Sequence, residues 1–152
     1  MNWKQRIEQL GIVLPAVARP VGAYVPARIA GKLVFTAGQL PFKDGTLLAV
    51  GKVPSQATLE QARAGARQAA LNALAAAAEA AGSIDRLAGI VRLNVFVNSA
   101  AGFAEQAKVA DGASELLGEI FGPAGLHTRC AIGAAELPLN ASVELDLVAE
   151  LA

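Results

Sequence analysis

Along Ala141–Leu151 apolar and polar residues alternate without a break. Val143, Leu145 and Leu147 fall on one side, and Ser142, Glu144 and Asp146 on the other. A period of two sends successive side chains to opposite faces, so this segment reads as a strand with one buried face. Arg86–Val97, with Ile90, Val91, Val95, Phe96 and Val97, reads as a second strand, and Thr128–Glu136 as a third. Gly22–Ala30 and Lys32–Thr36 are extended-favouring runs, and Gly31 between them marks a hairpin turn. Ala37–Pro41 breaks that second run, Lys43-Asp44-Gly45-Thr46 is a further turn, and Leu137-Pro138-Leu139-Asn140 is another.

Two stretches have helical character instead. Thr58-Leu59-Glu60-Gln61 has capping-box spacing, and the alanine-rich run Ala62–Ala81 follows it until Gly82 stops it. So many alanines suit close packing on a flat surface, most simply a sheet. Between Gly102 and Phe121, Phe103, Ala107, Ala110, Leu117 and Phe121 recur at helical spacing, and Gly122-Pro123 ends the run. Trp3–Leu10 reads as a short amphipathic helix in an N-terminal arm, residues 1–19, ahead of one domain spanning 20–152. The element order is β-β-α-β-α-β-β, an α+β architecture in which both helices must cover one face of the sheet. The other face carries Glu144 and Asp146. It is then either solvated or packed on another subunit.

Composition narrows the function classes. The chain has 152 residues, 54% hydrophobic and 17% charged, which fits one folded domain and excludes broad disorder. Thirteen basic and thirteen acidic residues cancel, so no cationic excess collects nucleic-acid phosphates. The longest charge-free run, Leu93–Ala104, has twelve residues, whereas a membrane span needs about 20. Glu8 and Pro15 interrupt any secretory leader, so a cytoplasmic protein is expected. So little charge on a small domain leaves its surface short of polar cover, and a homo-oligomer follows as the expectation.

The candidate chemistry is sparse. One Cys and one His leave no disulfide framework and no Cys/His zinc cluster, and no glycine-rich phosphate loop appears, so neither a metal nor a cofactor is expected. His127 is a general-base candidate or simply a loop residue before a strand. Cys130 beside Arg129 is either a thiol with a lowered pKa or a small buried apolar residue. Tyr24 caps a pocket polar group or half-buries in a strand. If the last two strands fold back on each other at Leu137-Pro138, Arg129 and Glu144 meet. They then form either a carboxylate-binding fork beside a water-activating carboxylate, or an ion pair at the surface or a subunit interface.

Several separated motifs together resemble those of the Rid (reactive intermediate deaminase) family, also called YjgF. Val21-Gly22-Ala23-Tyr24-Val25-Pro26 resembles its G-P-Y motif, and Phe35-Thr36-Ala37-Gly38-Gln39-Leu40-Pro41 its S-G-Q-[IVL]-P motif. Arg129-Cys130-Ala131, then Leu137-Pro138, then Val143-Glu144, resembles its C-terminal signature, and the resemblance covers about residues 20–151. It implies a chorismate-mutase-like fold with two helices on one face of a mixed sheet. It also implies a homotrimer with a central barrel and three inter-subunit clefts. The implied activity is cofactor-independent hydrolysis of enamines and imines, such as 2-aminoacrylate, to 2-oxo acids and ammonia. Arg129 would clamp the substrate carboxylate, Glu144 would direct the attacking water, and Tyr24, Ala37, Gly38 and the backbone at Cys130 would line the cleft. This chain has Ala37 where deaminating members usually have Ser, Ala23 where the motif has Pro, and Gly112 where many carry Asn. The loop 121–127 resembles a longer-chain branch. The resemblance thus leaves three functions open: deamination, a non-catalytic trimer that binds a ligand or partner, and cleavage of single-stranded RNA as an endoribonuclease.

Overall fold

The computed structural model describes all 152 residues. Its central strand is the alternating one: β7 (Val143–Leu151) buries Val143, Leu145 and Leu147, while Glu144 and Asp146 point to the other face. β1 (Ala27–Ala30) and β2 (Leu33–Thr36) form the hairpin around Gly31, whose φ of 61° is the left-handed turn geometry expected of glycine. The strand is shorter than the run from Gly22 because Pro26 lacks an N–H and the chain bends over 21–23. β3 (Phe42–Lys43) and β4 (Thr46–Leu47) are a small hairpin around Asp44-Gly45, both at positive φ (51° and 80°), as a type I′ turn requires. β5 (Leu87–Asn98) and β6 (Thr128–Ala134) complete a mixed sheet in the order β1-β2-β7-β5-β6, in which only β5 and β6 run parallel.

That order overturns one expectation. β6 and β7 are not neighbours, because β5 lies between them. β5 buries Leu93, Val95 and Val97 and is paired along both edges, whereas β6 exposes Thr128, Cys130 and Ile132 and takes the sheet's edge. The connection after β6 therefore spans β5 through a tight turn at Pro138–Asn140 rather than closing a hairpin.

α2 (Leu59–Ala81) starts from the capping box, in which the Thr58 side chain accepts from the Gln61 N–H and Gln61 returns the bond. It ends at Gly82, φ 88°. Its buried alanines, among them Ala62, Ala66, Ala69, Ala73 and Ala77, let it lie close on β1, β2 and β7. α3 (Gln106–Phe121) is shorter than the sequence reading. Ala110, Leu117 and Phe121 are buried as expected and Phe103 packs against the core, Ala107 is exposed, and Val109, Ala113, Leu116 and Ile120 widen the buried face beyond the expected stripe. Gly102 turns the chain at φ 82°, and the Gln106 side chain donates back to the Phe103 carbonyl at 2.9 Å, so the helix begins only there. α1 (Trp3–Gln9) packs on the end of α3, with the Trp3 and Phe121 rings 5.0 Å apart, and the Trp3 indole donates to the Leu87 carbonyl at 2.7 Å. No helix is long and apolar enough to cross a membrane.

Both long helices lie on one face, as their stripes demand, and the opposite face has no cover within the chain. Phe35 and Ile132 there are 45% and 47% exposed. Where α2 and α3 cross, Gly112 meets the main chain at Arg63, and a Cβ at Gly112 would collide with the Arg63 carbonyl oxygen. Helix packing therefore accounts for glycine at the position where the resemblance leads one to expect Asn. Gly112→Ala should force the helices apart at a cost of about 1–3 kcal/mol. That is a fall in Tm on the order of 5 °C for a domain this size, readable by thermal denaturation, and Gly112→Asn should cost at least as much.

Candidate functional site

An extra residue beside β7 shapes the site. Phe35 pairs with Val148, yet Gln39 pairs with Leu145. Four steps along one chain match three along the other, so one residue is inserted between them, a β-bulge that bends the strand. The ladder is made good locally. The Leu147 N–H donates to Thr36 Oγ1 at 3.0 Å, the Ala37 N–H to the Pro26 carbonyl at 2.8 Å, and the Gln39 N–H to the Leu145 carbonyl at 2.7 Å. The bulge carries Gly38 up against the Glu144 side chain, where a Cβ would collide with Glu144 Oε1. Glycine is needed here for space rather than for φ.

The result is a pocket of about 360 Å³. Tyr24, Ala37, Gly38 and Glu144 line it together, as the motifs imply, along with Gln39 and Leu40. Two further walls escape the sequence reading. One is the segment Ala18–Val21, where the arm joins the domain, held by Arg19 donating to both carboxylate oxygens of Glu79 on α2 at 3.0 and 2.6 Å. Prolines at 15, 20 and 26 were the available signal of an extended chain lying over the surface. The other is Pro138 and Leu139, and Leu139 sits at φ 56°, ψ 21°, an uncommon conformation for a branched residue. Asn140 beside it accepts from the buried Asn98 amide at 3.1 Å, and Lys52 donates to Asn98 Oδ1 at 3.1 Å and to the Ala135 carbonyl, so this turn is tied down on both sides.

Glu144 is half-buried and makes no hydrogen bond within the chain. Burial, reinforced by the neighbouring carboxylate of Asp146, pushes its pKa above the ordinary carboxylate range. Asp146 itself accepts from Asn94 at 2.8 Å. A desolvated, unpaired carboxyl group facing a pocket is suited to taking and returning a proton.

Arg129 and Cys130 lie elsewhere. Arg129 is in register with Leu93, whose side chain is in the core, so its own side chain runs toward the helices, opposite to Glu144. The expected meeting of Arg129 with Glu144 does not occur within one chain. Arg129 Nη1 donates instead to Asp111 Oδ1 at 2.8 Å and to Ser114 Oγ at 3.1 Å, both on α3. Cys130, in register with Asn94 on the uncovered face, is exposed rather than a buried apolar residue. Tyr24 lies in no strand and is 58% exposed at the pocket rim. His127 precedes β6, as read, and its ring nitrogens contact Ser114 Oγ at 3.0 Å and the Gly125 carbonyl at 2.6 Å. No three His, Cys, Asp or Glu residues converge as a metal set.

The raised pKa of Glu144 makes the folded state hold a proton that the unfolded chain releases at lower pH. The resulting penalty is absent below the ordinary glutamate pKa of about 4.3, grows as pH rises through it, and is complete above the folded pKa. Glu144→Gln should therefore raise Tm at pH 7 relative to the parent. The gain should vanish near pH 4, as paired thermal melts across that range would record.

A family model described as "YjgF/chorismate_mutase-like, putative endoribonuclease" matches residues 4–151. Protein TCP17 of Trypanosoma cruzi is 42% identical over 146 residues, which are 95% of this chain and 91% of that protein. A "putative endoribonuclease" of Shewanella oneidensis has the same fold at TM-score 0.94 and 38% identity, covering 99% of this chain and 100% of that one. The protein Atu1372 of Agrobacterium tumefaciens follows at TM-score 0.90 and 37% identity, covering 99% and 92%. TdcF of E. coli, solved with bound serine, shares the fold at TM-score 0.66 and 24% identity, covering 90% of this chain and 94% of that one. The family match runs over residues 4–151, nearly the whole chain, and a relative 42% identical covers 95% of it, so this chain belongs to the YjgF/chorismate-mutase-like family.

Proposed function

We propose that the protein is a homotrimer that binds small imines or enamines bearing a carboxylate and hydrolyses them to 2-oxo acids and ammonia, without a cofactor. The observation that carries this reading is Glu144: a half-buried carboxyl group with a raised pKa, no partner in the chain, and a 360 Å³ pocket in front of it. Ionised Glu144 takes a proton from a water whose oxygen attacks the imine carbon. The protonated carboxyl returns that proton to nitrogen, giving a carbinolamine. Glu144 then relays the carbinolamine's hydroxyl proton to the same nitrogen as the C–N bond breaks and the C=O bond forms, releasing ammonia and the 2-oxo acid. An enamine first becomes the imine by gaining a proton on its terminal carbon and losing one from nitrogen. A carboxyl group whose pKa is raised by burial serves this step as well.

The carboxylate of such a substrate needs a cation, and Arg129 supplies it in this reading. Arg129 lies at the unpaired edge of the sheet, and Glu144 lies on the uncovered face. A second copy covering that face buries the exposed Phe35 and Ile132 and can bring its Arg129 to the Glu144 pocket of the first. The cleft is then shared between subunits. A specific observation also favours a second reading, binding without turnover: the pocket wall has Ala37 where a serine hydroxyl is usual in deaminating relatives. Cleavage of RNA draws no comparable support, since positive and negative charges balance and aromatic side chains are few.

Light scattering coupled to gel filtration should give three times the 15.5 kDa chain mass, and a monomer at micromolar concentration would remove the shared cleft. In an assay where a lyase generates 2-aminoacrylate, the protein should speed its decay to pyruvate, with or without EDTA. Acceleration lost to EDTA and restored by one metal would refute the cofactor-independent route. Arg129→Ala should weaken pyruvate binding at least about thirtyfold, and Arg129→Lys should also bind poorly because the fork is lost. Glu144→Gln should keep pyruvate binding and lose hydrolysis by roughly 10²-fold or more. Pyruvate binding without any acceleration of decay would select the non-catalytic reading.

A further inference from the structure

We infer that Asp111 and Ser114 of α3 are positioning residues that preset Arg129 as a carboxylate fork, with His127 fixing the proton of Ser114. The inference rests on the reading of Arg129 as the carboxylate-binding cation and deepens it.

A guanidinium has five N–H groups: two on each Nη and one on Nε. In this chain Nη1 donates to Asp111 Oδ1 and to Ser114 Oγ, so both of its hydrogens are used. Nε and Nη2 make no hydrogen bond within the chain. A carboxylate is held best by two parallel N–H bonds from one edge of the guanidinium. With Nη1 saturated, the only edge that can offer such a pair is Nε/Nη2. Asp111 and Ser114 are three residues apart on one helix and so share a side of it. Their grip on Nη1 therefore sets which edge of the guanidinium remains available. The side chain as a whole is 25% exposed.

Ser114 can accept from Arg129 only if its own proton points elsewhere. Its Oγ lies 3.0 Å from His127 Nε2, and His127 Nδ1 lies 2.6 Å from the Gly125 carbonyl, which can only accept. With the imidazole neutral, the chain closes in one sense. Nδ1–H donates to Gly125, the Ser114 hydroxyl donates to Nε2, and the guanidinium donates to Ser114. Every polar atom on this path then has a partner suited to it.

An opposite role for Asp111 is physically conceivable: its carboxylate could compete with the ligand for the same cation. The two roles predict opposite signs, and pyruvate titration separates them. Asp111→Ala and Ser114→Ala should each weaken pyruvate binding by roughly three- to tenfold, the scale of immobilising one long side chain on binding. Asp111→Asn keeps an acceptor in place and should bind nearly as the parent does. His127→Gln should fall between the parent and Ser114→Ala. In the hydrolysis assay the alanine variants should raise KM and leave kcat within about twofold, because a remote carboxylate clamp acts alike on ground and transition states. Combined with Arg129→Ala, neither alanine change should weaken binding further. Tighter pyruvate binding by Asp111→Ala would overturn the proposal in favour of competition. Parent-like binding by both Asp111→Ala and Ser114→Ala, alongside a large loss in Arg129→Ala, would overturn positioning and leave the functional reading standing. Parent-like binding by Arg129→Ala would remove both. Ser114→Ala deletes only one oxygen, and Asp111→Asn is nearly isosteric, so the comparison does not depend on the most disruptive variant folding.

Discussion

The alternation along β7 is the constraint on which the rest of the site depends. Val143, Leu145 and Leu147 are held under α2 by burial, and each would cost about 2–5 kcal/mol to truncate, so the strand cannot rotate or slip by one residue. Glu144 is thereby forced to the uncovered face. Once there, it loses part of its hydration to the turn after β2, and the adjacent Asp146 adds like-charge repulsion. An ionisable group under strain of this kind persists because the core beneath it is worth more than the carboxylate costs.

The bulge at 36–39 is the second element of the same design. Without the inserted residue, β2 would run straight along β7 and its side chains would follow the pleat over Glu144. With it, Gly38 presents bare backbone to the carboxylate, and Thr36 Oγ1 and the Pro26 carbonyl pair the N–H groups of Leu147 and Ala37. The pocket is thus built from main chain on one side and from the clipped arm on the other. Its walls owe their placement to elements remote in sequence: Glu79 on α2 for the arm, and Asn98 and Lys52 for the turn at Leu139.

Placing β5 between β6 and β7 separates the two charged groups that the C-terminal motif puts close together in sequence. Arg129 and Glu144 end on opposite faces, two strands apart. A topology that divides a motif in this way makes sense if the motif serves a boundary between chains. One copy then presents the cation from its edge and another presents the carboxylate from its open face. The ties of Arg129 to Asp111 and Ser114 fit that division, since a cation offered to a neighbour must be oriented by its own chain.

The sequence by itself determined the periodic elements and the chemistry they carry. Thr58 with Gln61, Gly82, Gly31 and the β7 alternation specify their structures through local hydrogen bonding, backbone freedom and side-chain period, all of which act within a few residues. The motif residues Tyr24, Ala37, Gly38 and Glu144 could be assembled in advance because one family's motifs run through them in order. What only tertiary structure decided depends on distance across the fold. The crossing of α3 with α2 widens its buried face from Ala110, Leu117 and Phe121 to include Val109, Ala113, Leu116 and Ile120, and Gly112 is explained only by the Arg63 carbonyl it must avoid. Strand order, the arm's place over the pocket and the partner of Arg129 were decided there too. No local rule ranks β5 against β6 as the neighbour of β7, and an arginine's choice among thirteen acidic side chains is a matter of which one the packed backbone brings within reach.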